Sequence, residues 1–271
     1  MKKKIALVTM AKDEDLYIQE WIDYHLKLGF DSIFIYQNNW RFNSEDLDER
    51  VHLLEWDIDS PGDMDNTPWL SNRIAMAYTH FGKTYHDQFE WAAFIDVDGF
   101  LVLKQTNDVK EFIAKFDNVP QRQVVINLAQ FGDNGHTEFD PNNASVLERF
   151  TKRWGKPYTH TYYHVGPICK LHENFDKHGV HMVHDEEWID VDGVVGIGTS
   201  TILNCSRKVS YDTAQLNHYY TKTLPEWLNK CNRTRPEGDQ YRSTIEGFFE
   251  HNHNDVEDFH ALNFFRNQQT L

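Results

Sequence analysis

Two carboxylates one residue apart close an apolar run, Trp91-Ala92-Ala93-Phe94-Ile95-Asp96-Val97-Asp98, and Gly99 follows at once. Unpaired charge is too costly to bury. A buried strand ending at Ile95 must therefore deliver Asp96 and Asp98 to an edge, where they meet water or a cation. In extended chain the pair project to one side, about 6.6 Å apart at roughly 3.3 Å of rise per residue. That spacing suits one cation held directly by one carboxylate and through water by the other, and such a cation can carry a diphosphate. Asp and Gly are also ordinary turn formers, and a D-x-D match recurs by chance. Its weight here comes from its position, after an apolar strand, where open α/β sheets bind ligands.

Other groups have chemical and bland readings side by side. Asn217-His218-Tyr219-Tyr220-Thr221-Lys222 precedes a helix opening near Pro225. An imidazole for a metal, an ammonium and helix N–H groups for phosphate are the chemical reading; a surface His beside an aromatic patch is the other. The loop Phe131-Gly132-Asp133-Asn134-Gly135-His136 can offer a general base or be a tight turn. His178, His181 and His184 lie three apart, but Gly179, Val180 and Val183 favour a strand and no Cys lies near, so zinc is disfavoured. His251 and His253 read as solvated. Phe248, Phe249, Phe259, Phe264 and Phe265 read as helix packing or an oligomer surface through the C-terminal helices.

Composition narrows the field. With 271 residues, 40% hydrophobic and 14% aromatic, the chain can bury a sizeable core. A formal net charge of −15 argues against sequence-blind binding to nucleic acid or anionic lipid. A phosphorylated substrate would then need local compensation by a metal or a few placed Lys and Arg. Cys169, Cys205 and Cys231 make neither a disulfide framework nor paired metal-ligand spacing. Met1-Lys2-Lys3-Lys4 resembles a signal n-region, but the apolar stretch Ile5 to Met10 is too short for an h-region, and no run reaches the length of a membrane span. A cytosolic protein is expected, with room for peripheral attachment at the inner face of the membrane.

The elements that would position these groups follow from periodicity. Ile5 to Thr9 is the first strand. Asp13 is placed as N-cap of a helix carrying Ile18, Trp21, Ile22, His25 and Leu28, ended by Gly29. Strands are expected at Ser32 to Tyr36, Val51 to Leu54, Trp91 to Ile95 and Val124 to Leu128, and helices at Leu70 to Phe81 and Val109 to Phe116. Residues 57–67 and 131–145 are loops, and 165–220 mix short strands with loops. Helices follow from Pro225 to Cys231, Tyr241 to Phe249 and Val256 to Phe265. This alternation predicts an α/β layer around a mostly parallel sheet.

In order along the chain, these segments resemble bacterial family 2-like and family 92-like glycosyltransferases. The resemblance is carried by Lys12-Asp13-Glu14, Glu20-Trp21, Tyr24-His25, Leu28-Gly29, Phe94 to Phe100, Phe131 to His136, Glu148-Arg149-Phe150, and Asn217 to Lys222 with Lys230. It spans about residues 4–235 and leaves the end of the chain uncovered. Gly99 stands where the family usually has Glu, Asp13 where it usually has Asn, and Gln37-Asn38-Asn39 where Asp is frequent. What the resemblance implies is an α/β fold of GT-A type: a Rossmann-like mixed sheet flanked by helices with a helical C-terminal appendage. It divides into residues 1–221, with a nucleotide-sugar half at 1–103 and an acceptor half at 104–221, and an appendage at 222–271. It also implies Asp96, Asp98 and His218 as metal ligands, and Lys12, Glu14, Asn38, Arg73, Asp96 and Lys222 around the nucleotide sugar. His136 falls on the acceptor side.

The activity so implied is a metal-dependent, inverting hexosyl transfer from a nucleotide sugar, with UDP as the expected nucleotide, to a glycan or lipid-linked glycan in surface polysaccharide or lipopolysaccharide synthesis. Carboxylates with an imidazole suit Mn²⁺ better than Mg²⁺. The catalytic base expected is Asp133, with Glu186 and Asp185 as alternatives. Three readings compete. A sugar nucleotidyltransferase expects a glycine-rich phosphate loop, which Thr9-Met10-Ala11-Lys12 lacks. A glycosidase would use Asp96 and Asp98 without metal. A non-catalytic glycan- or nucleotide-binding protein would bind without turnover.

Overall fold

The computed structural model describes residues 4–43, 46–57, 73–140, 142–155, 164–176, 183, 186–197, 209–232 and 244–267. The elements in chain order are β1 (Ile5–Ala11), α1 (Ile18–Lys27), β2 (Ser32–Gln37), β3 (Val51–Glu55), α2 (Arg73–Tyr85), β4 (Trp91–Phe94), β5 (Gly99–Leu103), α3 (Val109–Ala114), β6 (Gln123–Gln130), α4 (Val146–Arg149), β7 (Lys152–Arg153), β8 (Val165–Lys170), β9 (Glu187–Asp190), β10 (Val195–Ile197), β11 (Ala214–His218), α5 (Leu224–Asn232), α6 (Ile245–His251), β12 (Val256–Glu257) and α7 (His260–Arg266).

β1 explains the layering. All seven residues are buried, as expected for a strand covered on both faces. Ile5 and Leu7 join one apolar cluster, with α1 and α3. Ala6, Val8 and Met10 join another, with α2. Side chains alternate across a strand, so the sheet lies between two helical layers. The strand order is β10-β9-β6-β8-β4-β1-β2-β3. The β4-β1-β2-β3 part is parallel, but β8 runs antiparallel between β4 and β6. The sheet is thus more mixed than the alternation of elements predicted.

β6 pairs with β9 over Gln123 to Val125 and changes its other partners along its length. Gln123 to Asn127 pair with β8, whereas Leu128 to Gln130 pair with β11. β11 in turn pairs antiparallel with β5, setting His218 against Gly99. The C-terminal ends of β1, β2, β4, β6 and β11 consequently share one edge.

Residues 13–17 depart from expectation. Asp13 has φ +55 and is not the N-cap, which is Tyr17; α1 starts at Ile18, after a turn closed by Glu14 O with the N–H groups of Tyr17 and Ile18. The segment expected as one helix over Val256 to Phe265 divides, because Asp258 is drawn inward. It accepts hydrogen bonds from Arg153 Nε at 2.8 Å and Gln215 Nε2 at 2.9 Å. The His triplet 178, 181 and 184, Asp185, Cys205 and the start of the expected helix at Tyr241 lie outside the described residues.

Among the described residues after 222, several elements make contacts with the rest of the chain. Ala261 and Leu262 of α7 belong to the same apolar cluster as β5 and α1, and Phe264 packs edge-on against Tyr24. Phe248 is buried; Phe249 and Phe259 are exposed. No helix among the described residues is long and apolar enough to cross a membrane.

α5 is fastened to the rest by an ion pair. Glu226 accepts from Arg149 Nη1 at 3.0 Å and Nη2 at 2.9 Å, from Tyr17 Oη, and from Thr223 N–H at 3.0 Å. Thr223 and Glu226 form a capping box at the start of the helix. Burial opposes the Glu226 charge, but the bonds from Arg149, Thr223 and Tyr17 overcome it and hold its carboxyl at about 2. That lies below the unfolded value of 4.5, so the stabilisation is complete above about pH 4.5 and is lost as pH falls toward 2. It is worth about 3 kcal/mol at neutral pH. Urea melts at pH 7 should show Arg149→Met losing about 3–5 kcal/mol, since it strands a buried carboxylate. Glu226→Gln should flatten the stability profile between about pH 4.5 and 2.

Candidate functional site

Asp96 and Asp98 follow β4, but the chain there is a turn, with Gly99 N–H donating to Asp96 O at 2.8 Å. The two carboxylates are therefore not arrayed as on an extended strand. Asp96 Oδ1 accepts from Tyr78 Oη of α2 at 3.4 Å. Asp98 faces the other way, toward β11 and α5. The turn requires the glycine: a Cβ at position 99 would stand 2.8 Å from Ile95 Cγ2 and 3.2 Å from Asp96 O. The backbone pins Asp98 as well, through Tyr219 N–H donating to its carbonyl at 2.8 Å.

The side chain of Asp98 is 13% exposed and meets two partners. Lys230 Nζ of α5 lies 2.7 Å from Oδ2, and His218 Nε2 lies 3.5 Å from Oδ1. Burial works against the Asp98 charge, but Lys230, His218 and Lys222 outweigh it and keep the carboxyl well below the usual range. Gln130 Oε1 lies 3.1 Å from His218 Nδ1. A neutral ring that gives its Nδ1–H to that oxygen turns the Nε2 lone pair toward Asp98 Oδ1, whereas a protonated ring faces the carboxylate with Nε2–H and favours its charge. Two acceptors facing each other call for a cation or a proton between them.

Lys222 is buried, with φ +51 and its Nζ 4.4 Å over the Tyr17 ring. A non-glycine residue held in the left-handed region costs free energy that the surroundings must supply. Burial first, and then repulsion by Lys230, lower its ammonium to about 8, against the opposing pull of Asp98, Glu14 and Glu226. Lys12 and Glu14 lie just beyond β1, Asn38 just beyond β2, and Arg73 opens α2, so all four sit at the edge that carries Asp98. Asn38 is fully buried; its Nδ2 donates to Trp56 O at 3.2 Å.

A divalent ion is tested by these donors. Among the described residues no three His, Cys, Asp or Glu side chains converge to hold a metal, so Asp96, Asp98 and His218 do not form a ready three-ligand set. Asp98 Oδ1 and His218 Nε2 do fit as a pair. Their 3.5 Å separation is long for a hydrogen bond and is one that two ligands of a shared ion, each about 2.1 Å from it, can adopt. Such a pair fits an ion that draws its remaining ligands from a diphosphate and water.

Of the residues expected to act as base, Glu186 and Asp133 are described, and they lie at opposite ends of β6. Glu186 lies beside Gln123, at the start of β6, with its carbonyl 3.3 Å from Gln123 Nε2 and its carboxylate 3.6 Å from His172 Nε2. His218 adjoins Gln130, at the end of that strand, so about 23 Å of β6 separates the two at roughly 3.3 Å per residue. Asp133 stands on the correct edge, but its oxygens accept from Asn252 Nδ2 at 2.8 Å, Asn254 Nδ2 at 3.0 Å and Gly135 N–H at 2.8 Å. A Cβ on Gly132 would lie 2.4 Å from His253 O. This loop is thus a seat for residues 252–254. His136 is exposed, with Nε2 2.9 Å from Arg149 O.

Sequence reasoning named Lys230 only as carrying the family resemblance, without a role in the site, and missed Gln130 and His164. Burial, then the charges of His218 and His251, lower His164 to about 4. For Lys230 a signal existed: it lies three residues after Trp227, and those two are the buried residues of α5. Gln130 and His164 carried no signal of their own, because β-sheet pairing brings them in.

No family model matches the chain. It is similar to a glycosyltransferase family 92 protein of Oryza sativa subsp. japonica, 23% identical over 157 residues, covering 58% of this chain and 26% of that protein. A glycosyltransferase family 92 protein of Ricinus communis is 25% identical over 136 residues, 49% of this chain and 23% of that one. One of Arabidopsis thaliana is 23% identical over 169 residues, 59% and 28% respectively. The chain spans about a quarter of the length of the curated relatives it matches. Among solved structures, core-mannan synthase A (CmsA/Ktr4) from Aspergillus fumigatus in its Mn/GDP form overlaps with TM-score 0.29 at 9% identity, over 50% of this chain and 44% of that one. The mannosyltransferase Ktr4p from S. cerevisiae in complex with GDP gives 0.29 at 13%, over 50% and 43%. These overlaps are too small to bear on fold or function.

Asp133→Asn turns an amide N–H toward Asn252 Nδ2, setting donor against donor, at a cost of about 1–3 kcal/mol. Thermal melts should fall by roughly 2–12 °C for a chain of this size. An unchanged melting temperature with lost turnover would instead make Asp133 the base.

Proposed function

We propose that the chain is a glycosyltransferase of GT-A type that moves a sugar from a nucleotide-sugar donor to a glycan acceptor. The observation that carries this reading is the Asp98–His218 pair, two acceptors 3.5 Å apart at the C-terminal edge of the sheet with two buried lysines beside them. That combination suits a divalent ion with a diphosphate, and the similarity to glycosyltransferase family 92 proteins supports the transfer chemistry. Asp98 Oδ1 and His218 Nε2 would hold Mn²⁺ or Mg²⁺; Mn²⁺ is favoured by the imidazole. The ion would supply Lewis-acid neutralisation of the departing diphosphate.

The chain's own residues do the rest. Gln130 fixes the His218 tautomer so that Nε2 can ligate. Lys222 presents a desolvated ammonium to the leaving phosphate, where the same charge counts for more than in water. Tyr78 steadies Asp96 on the donor side, and Lys12, Glu14, Asn38 and Arg73 border the place of the nucleoside and sugar. UDP is the nucleotide suggested by sequence resemblance, and GDP is the alternative to test with it. Transfer with inversion to a surface polysaccharide or lipid-linked glycan is the corresponding pathway reading, with the cytoplasmic side as its place.

Calorimetry with UDP and GDP, each with and without Mn²⁺, tests the reading. Asp98→Asn should abolish Mn²⁺-dependent binding while the protein stays folded, and His218→Ala should raise the Mn²⁺ needed for half-saturation at least tenfold. Undiminished Mn²⁺-dependent affinity in Asp98→Asn would remove Asp98 from the site.

The pH dependence has a definite sign. Lys222 is flanked by Lys230, Asp98, Glu14, Glu226 and Tyr17 and is lowered to about 8. A bound anion favours its charged form and raises that value. Diphosphate affinity should therefore be flat below about pH 7 and weaken as pH rises through 8. Lys222→Arg, which does not titrate there, should flatten the profile even if absolute affinity falls.

A further inference from the structure

Lys230 is 6% exposed, and its ammonium meets the site at several points. Nζ lies 2.7 Å from Asp98 Oδ2, 3.2 Å from Tyr220 O and 4.3 Å from the centre of the Tyr220 ring. A lysine gives up hydration and rotamer freedom to be held this way. Its location is also specified from several directions: α5 is tied down by Glu226 and Arg149, and Trp227 packs on Tyr220.

The ammonium engages one carboxylate oxygen and leaves the other, Oδ1, facing His218. Asp98 is thereby neutralised and limited to one oxygen for any further ligand. Lys222 acts on Asp98 as well, so two ammoniums bear on that carboxylate, with Glu14 drawing on Lys222 and Glu226 already paired to Arg149. A bare divalent cation gains little by entering. A diphosphate is attracted, and once seated it reverses the local sign and offers oxygens to complete a coordination sphere.

We infer that Lys230 is a positioning residue that makes entry of the metal ion conditional on the nucleoside diphosphate: the ion binds with the donor or after it, not before. This rests on the glycosyltransferase reading above. It also gives a protein with a net charge of −15 a way to keep its catalytic carboxylate from being a general cation trap.

The test is an electron paramagnetic resonance titration of free Mn²⁺, with and without UDP or GDP, on the wild-type chain and on Lys230→Met, Lys230→Gln and Lys230→Arg. Asp98→Asn measures uptake by the rest of the acidic surface, which is subtracted. The wild-type chain should take up Mn²⁺ at Asp98 only with the diphosphate. Lys230→Met and Lys230→Gln should bind Mn²⁺ alone at least tenfold tighter than wild type, and Lys230→Arg should behave like wild type. Lys230→Gln keeps an N–H for Asp98 Oδ2 and guards against a folding defect in Lys230→Met. If both neutral variants are unstable, thermal melts replace the titration: Mn²⁺ alone should raise their melting temperatures by several degrees and leave wild type unmoved.

Neutral variants that bind Mn²⁺ alone no better than wild type, while wild type still binds it with a diphosphate, would overturn the inference and spare the function. A wild-type chain with no Mn²⁺-dependent binding of either nucleotide would overturn the function itself.

Discussion

A single carboxylate, that of Asp98, has to stay charged while nearly all of its side chain is out of water, and much of the structure exists to make that tolerable. Burying an uncompensated carboxylate costs several kcal/mol, which the Lys230 ammonium offsets at 2.7 Å. That lysine can only be there because α5 is held at its first turn by Glu226, Arg149, Thr223 and Tyr17. Asp98 can only be there because a turn at Gly99 redirects the chain from β4 into β5. Removing one member leaves the others with unmet charge, so turn, helix and ion pair behave as one unit.

The same dependence runs through the described C-terminal residues. α5 brings a charge to the site. Residues 252–254 are gripped by Asp133, and Asp258 enters the interior to meet Arg153 and Gln215. α7 then closes over Tyr24 and β5. Segments that resembled loop-and-motif chemistry in the middle of the chain turn out to be sockets for its end. A dense set of side-chain hydrogen bonds to ordered amides is what a socket needs.

What could be read from sequence divides by the range of the interaction. Strands β1 to β4, helix α1 and the end of α1 at Gly29 were legible because burial periodicity and turn chemistry are local. The edge location of Asp98 was legible too, since a charge cannot follow an apolar strand inward. The direction of Asp98 was not: whether two carboxylates one apart share a side depends on the backbone angles of the turn, and the close approach of Ile95 to Gly99 decides those. Glu186 shows the same limit on a larger scale. Its acidic neighbourhood looked suitable, but parallel pairing of β9 with the first residues of β6 puts it at the far end of that strand. Register is a non-local quantity, and no local pattern reports it.

Several residues that carried the family resemblance act through backbone placement. Trp21 Nε1 donates to Gly99 O at 2.8 Å, Tyr24 Oη to Leu101 O at 2.9 Å, and His25 Nε2 faces Leu101 N–H at 3.4 Å. Burial drives the His25 ring down to about 3, so it stays neutral and can accept there. Glu20 receives Ser145 Oγ and the Val146 N–H, anchoring α4. Helix α1 is therefore a ruler laid along β5, which sets where the 96–99 turn sits relative to β11. The ammoniums of Lys222 and Lys230 both act on Asp98, and charges farther from the site than a screening length of about 8 Å count for little there. An acidic protein can thus attract a small diphosphate locally while its overall field turns away extended polyanions, and the geometry that separates the two cases is the one α1 and α5 impose on a single turn.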